Sequence, residues 1–322
     1  MKTKSLGIQF VSPGVLRVAV LTGLLSAFVV CMAPCIQAQG LSANAHEPRT
    51  TFITFGPPGS LFIAAFGINP VGEITGQYCD AITCHGFLRA ADGMITTVDP
   101  PGSFFSAALG INPAGAIIGQ YCDELGCHSF VRARDGTFTG FDVPGFVATT
   151  GFGINPAGAI TGYYQDASTE AFHGFLRTHD GTITTFDAPG AGTGAFQGTF
   201  PTAINPAGEV TGSYCDAITC HGFLRAADGM ITTVDPPGSF SSAAALGINP
   251  SGAITGYYLD ANFVYHGFLR APDGTIITFD APGAGTAGGR GTQAQSINPT
   301  GSITGYYLDA NFVPHGFLLE GE

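Results

Sequence analysis

The feature that most constrains the fold is a unit that occurs six times along the chain. One copy spans residues 204–238 and reads INPAGEVTGSYCDAITCHGFLRAADGMITTVDPPG. The marker Ile-Asn-Pro recurs at steps of 43, 43, 50, 44 and 49 residues, and its asparagines are Asn69, Asn112, Asn155, Asn205, Asn249 and Asn298. A period near 45 residues with internal turn signals predicts a repeat architecture.

Within the fifth unit, turn signals separate four short segments rich in β-branched and aromatic residues. Asn-Pro-Ser-Gly at 249–252 favours a type I turn, and Asp273-Gly274 favours a tight hairpin. The predicted strands are residues 243–249, 253–258, 266–270 and 275–280. Each unit is therefore predicted to be a four-stranded antiparallel meander.

Four strands per repeat and six repeats predict an all-β fold, a six-bladed β-propeller. The first strand of a unit, for example Ala107-Ala108-Leu109-Gly110, has the small residues that a crowded position near the axis requires. The last unit lacks a fourth strand, and residues 51–55 (TFITF) form an isolated one near the start. We expect this strand to complete the last blade and close the ring, so that no edge stays open. The main alternative is an open β-solenoid, which leaves that strand unexplained.

The repeated tags carry a resemblance to a known family. The His-Gly-Phe or His-Ser-Phe tag, the upstream I-N-P-x-G and the G-x-Y-x-D run are similar to those of the bacterial extracellular repeats named for their His-Ala-Phe (HAF) tag. The similarity covers essentially all of the chain after the first 45 residues, with Gly or Ser where that tag has Ala. It implies a secreted repeat protein and assigns no catalytic residue.

The first 45 residues have the features of a secretory signal peptide. Lys2, Lys4 and Arg17 precede an apolar run at 18–32, and small residues allow cleavage after Ala38 or Ala45. An uncleaved anchor is the alternative, although the run is short for a membrane span. Residues 46–322 are then a single domain in the secreted or periplasmic protein, with no membrane span after cleavage.

The charge of residues 46–322 limits the classes of partner. The leader holds three of the 11 basic residues and none of the 23 acidic ones, which leaves eight basic residues and a net charge of −15. Such a chain repels phosphate backbones, so nucleic acid is excluded as a partner, and docking on anionic lipid is disfavoured. With 45% hydrophobic and 11% charged residues, the chain is expected to be globular, and we expect a monomer.

Six cysteines are arranged in three C-x4-C pairs between the second and third strands of a unit. In the other three units both members of a pair are absent together. Antiparallel neighbours lie within disulfide range, and export supplies oxidising conditions. Three local disulfides are predicted, with haem attachment through C-x4-C-H and a zinc site as the alternatives. The pairs are Cys79 and Cys84, Cys122 and Cys127, and Cys215 and Cys220.

Each unit also carries an aspartate before this loop and a histidine at the start of the next strand. A residue present in every unit is more often architectural than catalytic, so both sets are predicted to be structural, as is a repeated arginine at 89, 132, 177, 225 and 270. No cofactor or metal is expected, although calcium held by some aspartates stays open. The aspartates are Asp80, Asp123, Asp166, Asp216, Asp260 and Asp309, and the histidines are His85, His128, His173, His221, His266 and His315.

Function is expected where the units differ. The connections at 188–203 and 281–296 are longer than the others and should lie on the same face as the cysteine loops. The sequence predicts a binding module for an extracellular glycan, peptide or protein on this face. The alternative is a secreted hydrolase or lyase acting at the mouth of the axial channel. The candidate ligand-binding residues are Phe196, Gln197, Phe200, Arg290, Gln293 and Gln295.

Overall fold

All the elements of the computed structural model are β-strands. It describes residues 57, 60, 62–145 and 148–319, with the backbone only at 62–65, 304, 314–316 and 318. The predicted leader and the predicted N-terminal strand at 51–55 lie outside the described residues. The 23 described strands follow one another as five meanders of four strands and a sixth of three.

The strands fall into four sets by their order within a unit. First strands are β1 (Phe62–Ile68), β5 (Phe105–Ile111), β9 (Ala148–Ile154), β13 (Gly198–Ile204), β17 (Ser242–Ile248) and β21 (Gly291–Ile297). Second strands are β2 (Ile74–Cys79), β6 (Ile117–Asp123), β10 (Ile160–Gln165), β14 (Val210–Cys215), β18 (Ile254–Leu259) and β22 (Ile303–Leu308). Third strands are β3 (Cys84–Arg89), β7 (Gly126–Arg132), β11 (Phe172–Arg177), β15 (Cys220–Arg225), β19 (Tyr265–Arg270) and β23 (Pro314–Leu319). Fourth strands are β4 (Ile95–Thr97), β8 (Phe138–Phe141), β12 (Ile183–Phe186), β16 (Ile231–Thr233) and β20 (Ile276–Phe279).

Consecutive strands of a unit pair antiparallel, as the repeat predicts. In the fifth unit β17 pairs with β18, β18 with β19 and β19 with β20, and each strand lies within about a residue of its predicted bounds. A bulge interrupts the first pair, because Ala245 is opposite Gly256 while Gly247 is opposite Thr255. The bulge bends the first strand at the same place in all six described units.

The hydrophobic core lies between neighbouring units and is built from the repeated tags. The phenylalanine of the His-Gly/Ser-Phe tag is fully buried in the first five units, and these side chains are Phe87, Phe130, Phe175, Phe223 and Phe268. One core cluster joins Val234, at the end of the fourth unit, to Ala245, Ile254 and Phe268 of the fifth. Apolar surface is therefore buried between consecutive units, which is the general property of a repeat array.

The asparagine of the Ile-Asn-Pro marker links one unit to the next. The Asn112 side chain donates from Nδ2 to the carbonyl of Asn155, and Asn155 donates in the same way to Asn205 at 3.2 Å. The same bond joins Asn205 to Asn249 and Asn249 to Asn298. These asparagines are buried at the end of the first strand, where their Oδ1 atoms also accept backbone N–H groups of the following turn. The sequence indicated the turn but not this inter-unit bond.

The meander places two kinds of connection at opposite ends of each unit. The loops between second and third strands, and the connections from a fourth strand to the next first strand, share one end, here called the loop face. The turns between first and second strands, and between third and fourth strands, share the other end, here called the turn face. Both long connections and all three cysteine pairs are on the loop face.

Candidate functional site

The three predicted disulfides are confirmed. Cys79 bonds Cys84, Cys122 bonds Cys127 and Cys215 bonds Cys220. Each joins residues that are directly opposite on the second and third strands, with Cα atoms 3.9 to 4.1 Å apart. Disulfides of this kind form in oxidising compartments, which is consistent with an extracellular or periplasmic protein.

The aspartate at the start of each loop between second and third strands caps that loop. In the first unit Asp80 Oδ1 accepts the backbone N–H groups of Ile82 and Thr83. In the third unit Asp166 accepts the Ser168 hydroxyl and the N–H groups of Ser168 and Thr169. These bonds stabilise the carboxylate, and the Ser168 hydroxyl contributes most to lowering the pKa of Asp166 to about 2. The structure thus gives this aspartate a local turn-forming role.

The histidine of the tag hydrogen-bonds a different aspartate, which sequence reasoning missed. His85 Nδ1 lies 2.7 Å from the carboxylate of Asp99, fourteen residues further along at the end of the fourth strand. Because a carboxylate only accepts, Nδ1 is the donor. The signal available in the sequence was the aspartate that follows each fourth strand. The other described pairs are His128 with Asp142, His173 with Asp187, His221 with Asp235 and His266 with Asp280.

The histidine of each of the first five tags also packs on a tyrosine, and in four of the five it faces a second polar group. Tyr258 and His266 stack with ring centroids 5.2 Å apart, and the pairing recurs in the other described units. His266 Nε2 lies 3.7 Å from Asp260, so this ring stands between two carboxylates. In the fourth unit the Thr219 hydroxyl takes the equivalent place, 2.8 Å from Nε2 of His221. The side chain of His315 is outside the described part.

The repeated arginines lie on the turn face, and two of them pack on the preceding unit. The Arg177 guanidinium is 4.7 Å from the ring centre of Phe141, and that of Arg225 is 4.9 Å from the ring of Phe186. These cation–π contacts join a third strand to the fourth strand of the unit before it. The contacts are those expected of structural residues.

The structure divides the six candidate ligand-binding residues into two groups. Phe196 is exposed in the first long connection, and Gln197 closes that connection by accepting the N–H of Gly194. Arg290 is half-buried in the second long connection, with its guanidinium carbon 3.9 Å from the ring centre of Phe312. These three belong to the loop face, but they come from different connections.

The other three candidates lie in first strands. Phe200 is buried in β13, Gln293 is buried in β21, and Gln295 is half-buried two residues further along β21. The ring centroids of Phe200 and Tyr163 are 5.4 Å apart. Gln293 Oε1 accepts a hydrogen bond from the Tyr306 hydroxyl at 2.7 Å. The predicted set is therefore not one continuous patch.

Phe200 and Gln293 each contact a row of second-strand side chains that differs from unit to unit. The third residue of each second strand is a glycine, and the residue after it varies. The varying residues are Gln77, Gln120, Tyr163, Ser213, Tyr257 and Tyr306. Burial raises the pKa of Tyr163 and that of Tyr257 to about 12, and it also raises the pKa of Tyr306. Sequence reasoning missed this row, although the variation at a fixed position of the repeat was the signal for it.

A cleft on the loop face combines repeated and non-repeated residues. It has a volume of about 150 Å³ and lies in the fifth unit. One wall is the carboxylate–histidine–carboxylate set of Asp260, His266 and Asp280, and the second long connection supplies the other wall through residues 284–286. Backbone N–H donation by Val264 makes the largest contribution to lowering the pKa of Asp260, so its carboxylate is ionised at neutral pH. The cleft can accept hydrogen bonds and stabilise a cationic group.

The two faces differ strongly in charge. Among the described residues the loop face holds both sets of aspartates together with Glu124 and Glu170, which makes 13 acidic residues, and Arg290 is its single arginine. The turn face holds seven acidic residues and six arginines, which nearly balance. The acidic residues of the turn face are Glu73, Asp92, Asp135, Asp180, Glu209, Asp228 and Asp273, and its arginines are Arg89, Arg132, Arg134, Arg177, Arg225 and Arg270. The negative charge of the chain is thus concentrated at one end of the units.

Exposed apolar side chains accompany the negative charge. The three disulfide loops carry Ile82, Leu125 and Ile218, which are 91%, 82% and 87% exposed. The remaining large apolar side chains exposed on the loop face are Phe104, Phe196, Phe240, Phe263, Phe312 and Val313. Single exposed apolar residues are ordinary, but a group of this size on one face indicates an interaction surface.

Two further observations concern metals and membranes. No group of three or more His, Cys, Asp or Glu side chains in the described part of the chain is arranged to hold a metal ion. Across the same residues, no helix has the length and hydropathy to cross a bilayer.

Comparisons with known proteins identify the fold class. No protein-family model and no curated protein sequence matches the chain. A catalytically inactive virginiamycin B lyase from Staphylococcus aureus, solved with quinupristin, is 15% identical, with a TM-score of 0.50 over 79% of this chain and 84% of the lyase. TolB from Acinetobacter baumannii is 11% identical, with a TM-score of 0.50 over 67% of this chain and 53% of TolB. Both are β-propellers, so the chain has an all-β fold of propeller type.

Proposed function

We propose that this protein is a secreted or periplasmic binding module whose ligand, a glycan, a peptide or a protein, docks on the loop face. The observation that carries the proposal is the cleft of about 150 Å³ in the fifth unit. The Asp–His–Asp set recurs in other units, but here a long connection faces it and forms a second wall. A concave site with a few convergent polar groups is the usual form of a ligand site.

The scaffold of this module is a six-bladed ring of the kind that the HAF-tagged repeats suggest. Six described meanders, 43 to 50 residues apart in the sequence, and their inter-unit contacts support six blades. The sixth meander has three described strands, and residues 51–55 have the composition of the missing fourth. A closed ring would bring the loop faces of all units around one axis.

A binding screen with matched variants tests the proposal. Residues 46–322 would be applied to glycan and peptide arrays, and hits would be quantified by titration calorimetry. Asp280→Asn and Thr286→Tyr are expected to weaken binding at least tenfold, since the first removes a charge from the cleft and the second fills it. Asp235→Asn makes the same change beside His221, where no long connection follows, and should weaken binding much less.

Two outcomes would contradict the proposal. If Asp235→Asn weakens binding as much as Asp280→Asn does, the loss comes from disturbing the repeated histidine in either unit, and the cleft is not the site. If mass spectrometry of the bound ligands finds cleavage or elimination products, the hydrolase or lyase alternative takes the place of simple binding.

A further inference from the structure

We infer that the partner of the loop face is a cationic, amphipathic polypeptide segment. The inference rests on the proposed binding function and adds the chemistry of the ligand. Its first basis is charge, because 13 acidic residues and one arginine lie on this face among the described residues, whereas acids and arginines nearly balance on the turn face. A surface of one sign attracts a partner of the opposite sign and accelerates its encounter.

The apolar side chains on the same face select among cationic partners. Ile82, Leu125 and Ile218 project from loops that are each closed by a disulfide and by an aspartate cap. Their loops are braced before binding, so little conformational entropy is lost when a partner covers them. A polyamine or an inorganic cation would leave this apolar surface uncovered, whereas a peptide with both basic and apolar side chains covers it.

The cleft of the fifth unit fits one basic side chain of such a partner. Asp260 and Asp280 flank His266, and their carboxylates are partly exposed at the cleft. A lysine or arginine entering the cleft would gain charge-assisted hydrogen bonds to both carboxylates. Phe263, exposed in the loop above the cleft, contacts Phe240 of the preceding connection with ring centroids 6.2 Å apart, and this pair offers an apolar surface next to the charged one.

The two requirements, charge and apolar surface, can be measured separately with three peptides. The probe is a fluorescein-labelled peptide of Leu and Lys that forms one apolar and one basic face. One control peptide has Glu for every Lys, and a second has Ser for every Leu. We expect fluorescence anisotropy to show binding of the first peptide only, with an affinity that falls at least tenfold when added salt shortens the Debye length to about 3 Å.

Matched protein variants locate the binding face. Ile82→Ser, Leu125→Ser and Ile218→Ser together should weaken binding of the Leu/Lys peptide about tenfold or more. The control combines Val71→Ser, Met94→Ser and Met230→Ser, which change apolar residues on the turn face that are 59%, 61% and 66% exposed. Asp80→Asn with Asp216→Asn is compared with Asp92→Asn and Asp228→Asn, because all four side chains cap a turn through Oδ1 and asparagine keeps that cap.

Each result supports or overturns the inference. Loss of binding confined to the loop-face variants supports it. Equal loss from both sets shows unspecific attraction to an acidic protein and overturns it. If the peptide does not bind while an array glycan binds in a cleft-dependent way, the partner class is wrong and the binding function stands. Binding to zwitterionic phosphatidylcholine vesicles in place of the peptide would assign the apolar residues to a lipid surface and would also overturn it.

Discussion

The histidine of each unit shows how the surroundings give a repeated residue its role. His266 stacks on Tyr258 of the second strand, donates to Asp280 at the end of the fourth and faces Asp260 before the loop. Three strands and a loop are thus held together by one imidazole. In most units that arrangement is only structural, and in the fifth it also forms the wall of a cleft.

A pH dependence follows from the aspartate caps. Since hydrogen bonds hold the pKa of Asp166 at about 2, below its ordinary 3.8, the ionised form stabilises the folded state. This contribution is fully present above about pH 4 and is lost as the pH falls through about 2. In urea unfolding, Asp166→Asn should therefore be less stable than the wild type at pH 7, and the gap should close between pH 4 and pH 2.

The companion variant for this prediction is Ser168→Ala. It removes the hydroxyl that contributes most to the low pKa of Asp166. When Asp166→Asn is added to Ser168→Ala, the loss of stability should therefore disappear at a higher pH than it does in the wild type. A gap between Asp166→Asn and the wild type that is the same at pH 7 and pH 2 would show that the carboxylate charge does not stabilise the loop.

Two glycines of the fourth unit differ in what an added methyl group would meet. A Cβ at Gly212 would lie 2.2 Å from the carbonyl oxygen of Phe200 and 2.7 Å from Cα of Pro201, which are both backbone atoms of the neighbouring strand. Gly208 lies in a turn at φ +83°, with nothing within 4 Å of the same position. Gly212→Ala should cost about 3 kcal/mol or more through overpacking, whereas Gly208→Ala should cost about 1 kcal/mol through backbone strain.

Thermal and urea unfolding of the two glycine variants measures this difference directly. Similar losses at the two positions would mean that the bulged first strand moves aside, and that the close approach at Gly212 does not constrain the sequence there.

At the scale of elements, the asparagine chain makes one meander depend on the next. Asn155 is 4% exposed, accepts the N–H of Ala159 through Oδ1 and donates from Nδ2 to the carbonyl of Asn205 in the following unit. Asn155→Ala removes both bonds, leaves buried groups without partners and should cost about 2–4 kcal/mol. Asn155→Asp keeps the acceptor of the turn, loses the donor and places a carboxylate against the carbonyl of Asn205, so it should also be destabilising.

The control for this prediction is Asn262→Ala, because Asn262 is exposed in a loop. Its free energy of unfolding should stay within about 0.5 kcal/mol of the wild type. If Asn155→Asp is as stable as the wild type, the donor bond to the next unit contributes nothing, and the asparagine serves only its own turn.

For the whole molecule, ring closure is the prediction with the largest consequence. Residues 53–60 read ITFGPPGS, and residues 96–103 read TTVDPPGS, so Gly56 stands where the first unit has Asp99. If residues 51–55 complete the sixth unit, Gly56→Asp supplies a partner for His315. The free energies of Gly56→Asp, His315→Gln and the double variant should then show a coupling of about 0.5–1.5 kcal/mol.

Additive effects in that cycle would mean that the two positions are not neighbours and would favour an open array. Deleting residues 46–55 gives a second measurement. In a closed ring it exposes a strand edge, so a lower urea midpoint and concentration-dependent aggregation are expected.

The class of fold could be predicted from the sequence, because six units share strand and turn signals. Five of them have an Asp-Gly hairpin, and three have paired cysteines on adjacent strands. The sequence also predicted the disulfides, since the two cysteines of a pair are present together in three units and absent together in the other three. It did not determine the partner of each histidine. His85 and Asp99 are fourteen residues apart, and only the pairing of third and fourth strands brings them together.

Tertiary structure alone decided which residues share a surface. The candidates Phe196 and Phe200 are four residues apart, yet one is exposed on the loop face and the other is buried against Tyr163. The separation of charge between the two faces also follows from strand direction. Acidic residues that are far apart in the sequence lie on one face because their loops are at the same end of the meander. Periodicity shows which side chains are equivalent, but the packing of neighbouring units decides which of them a ligand can reach.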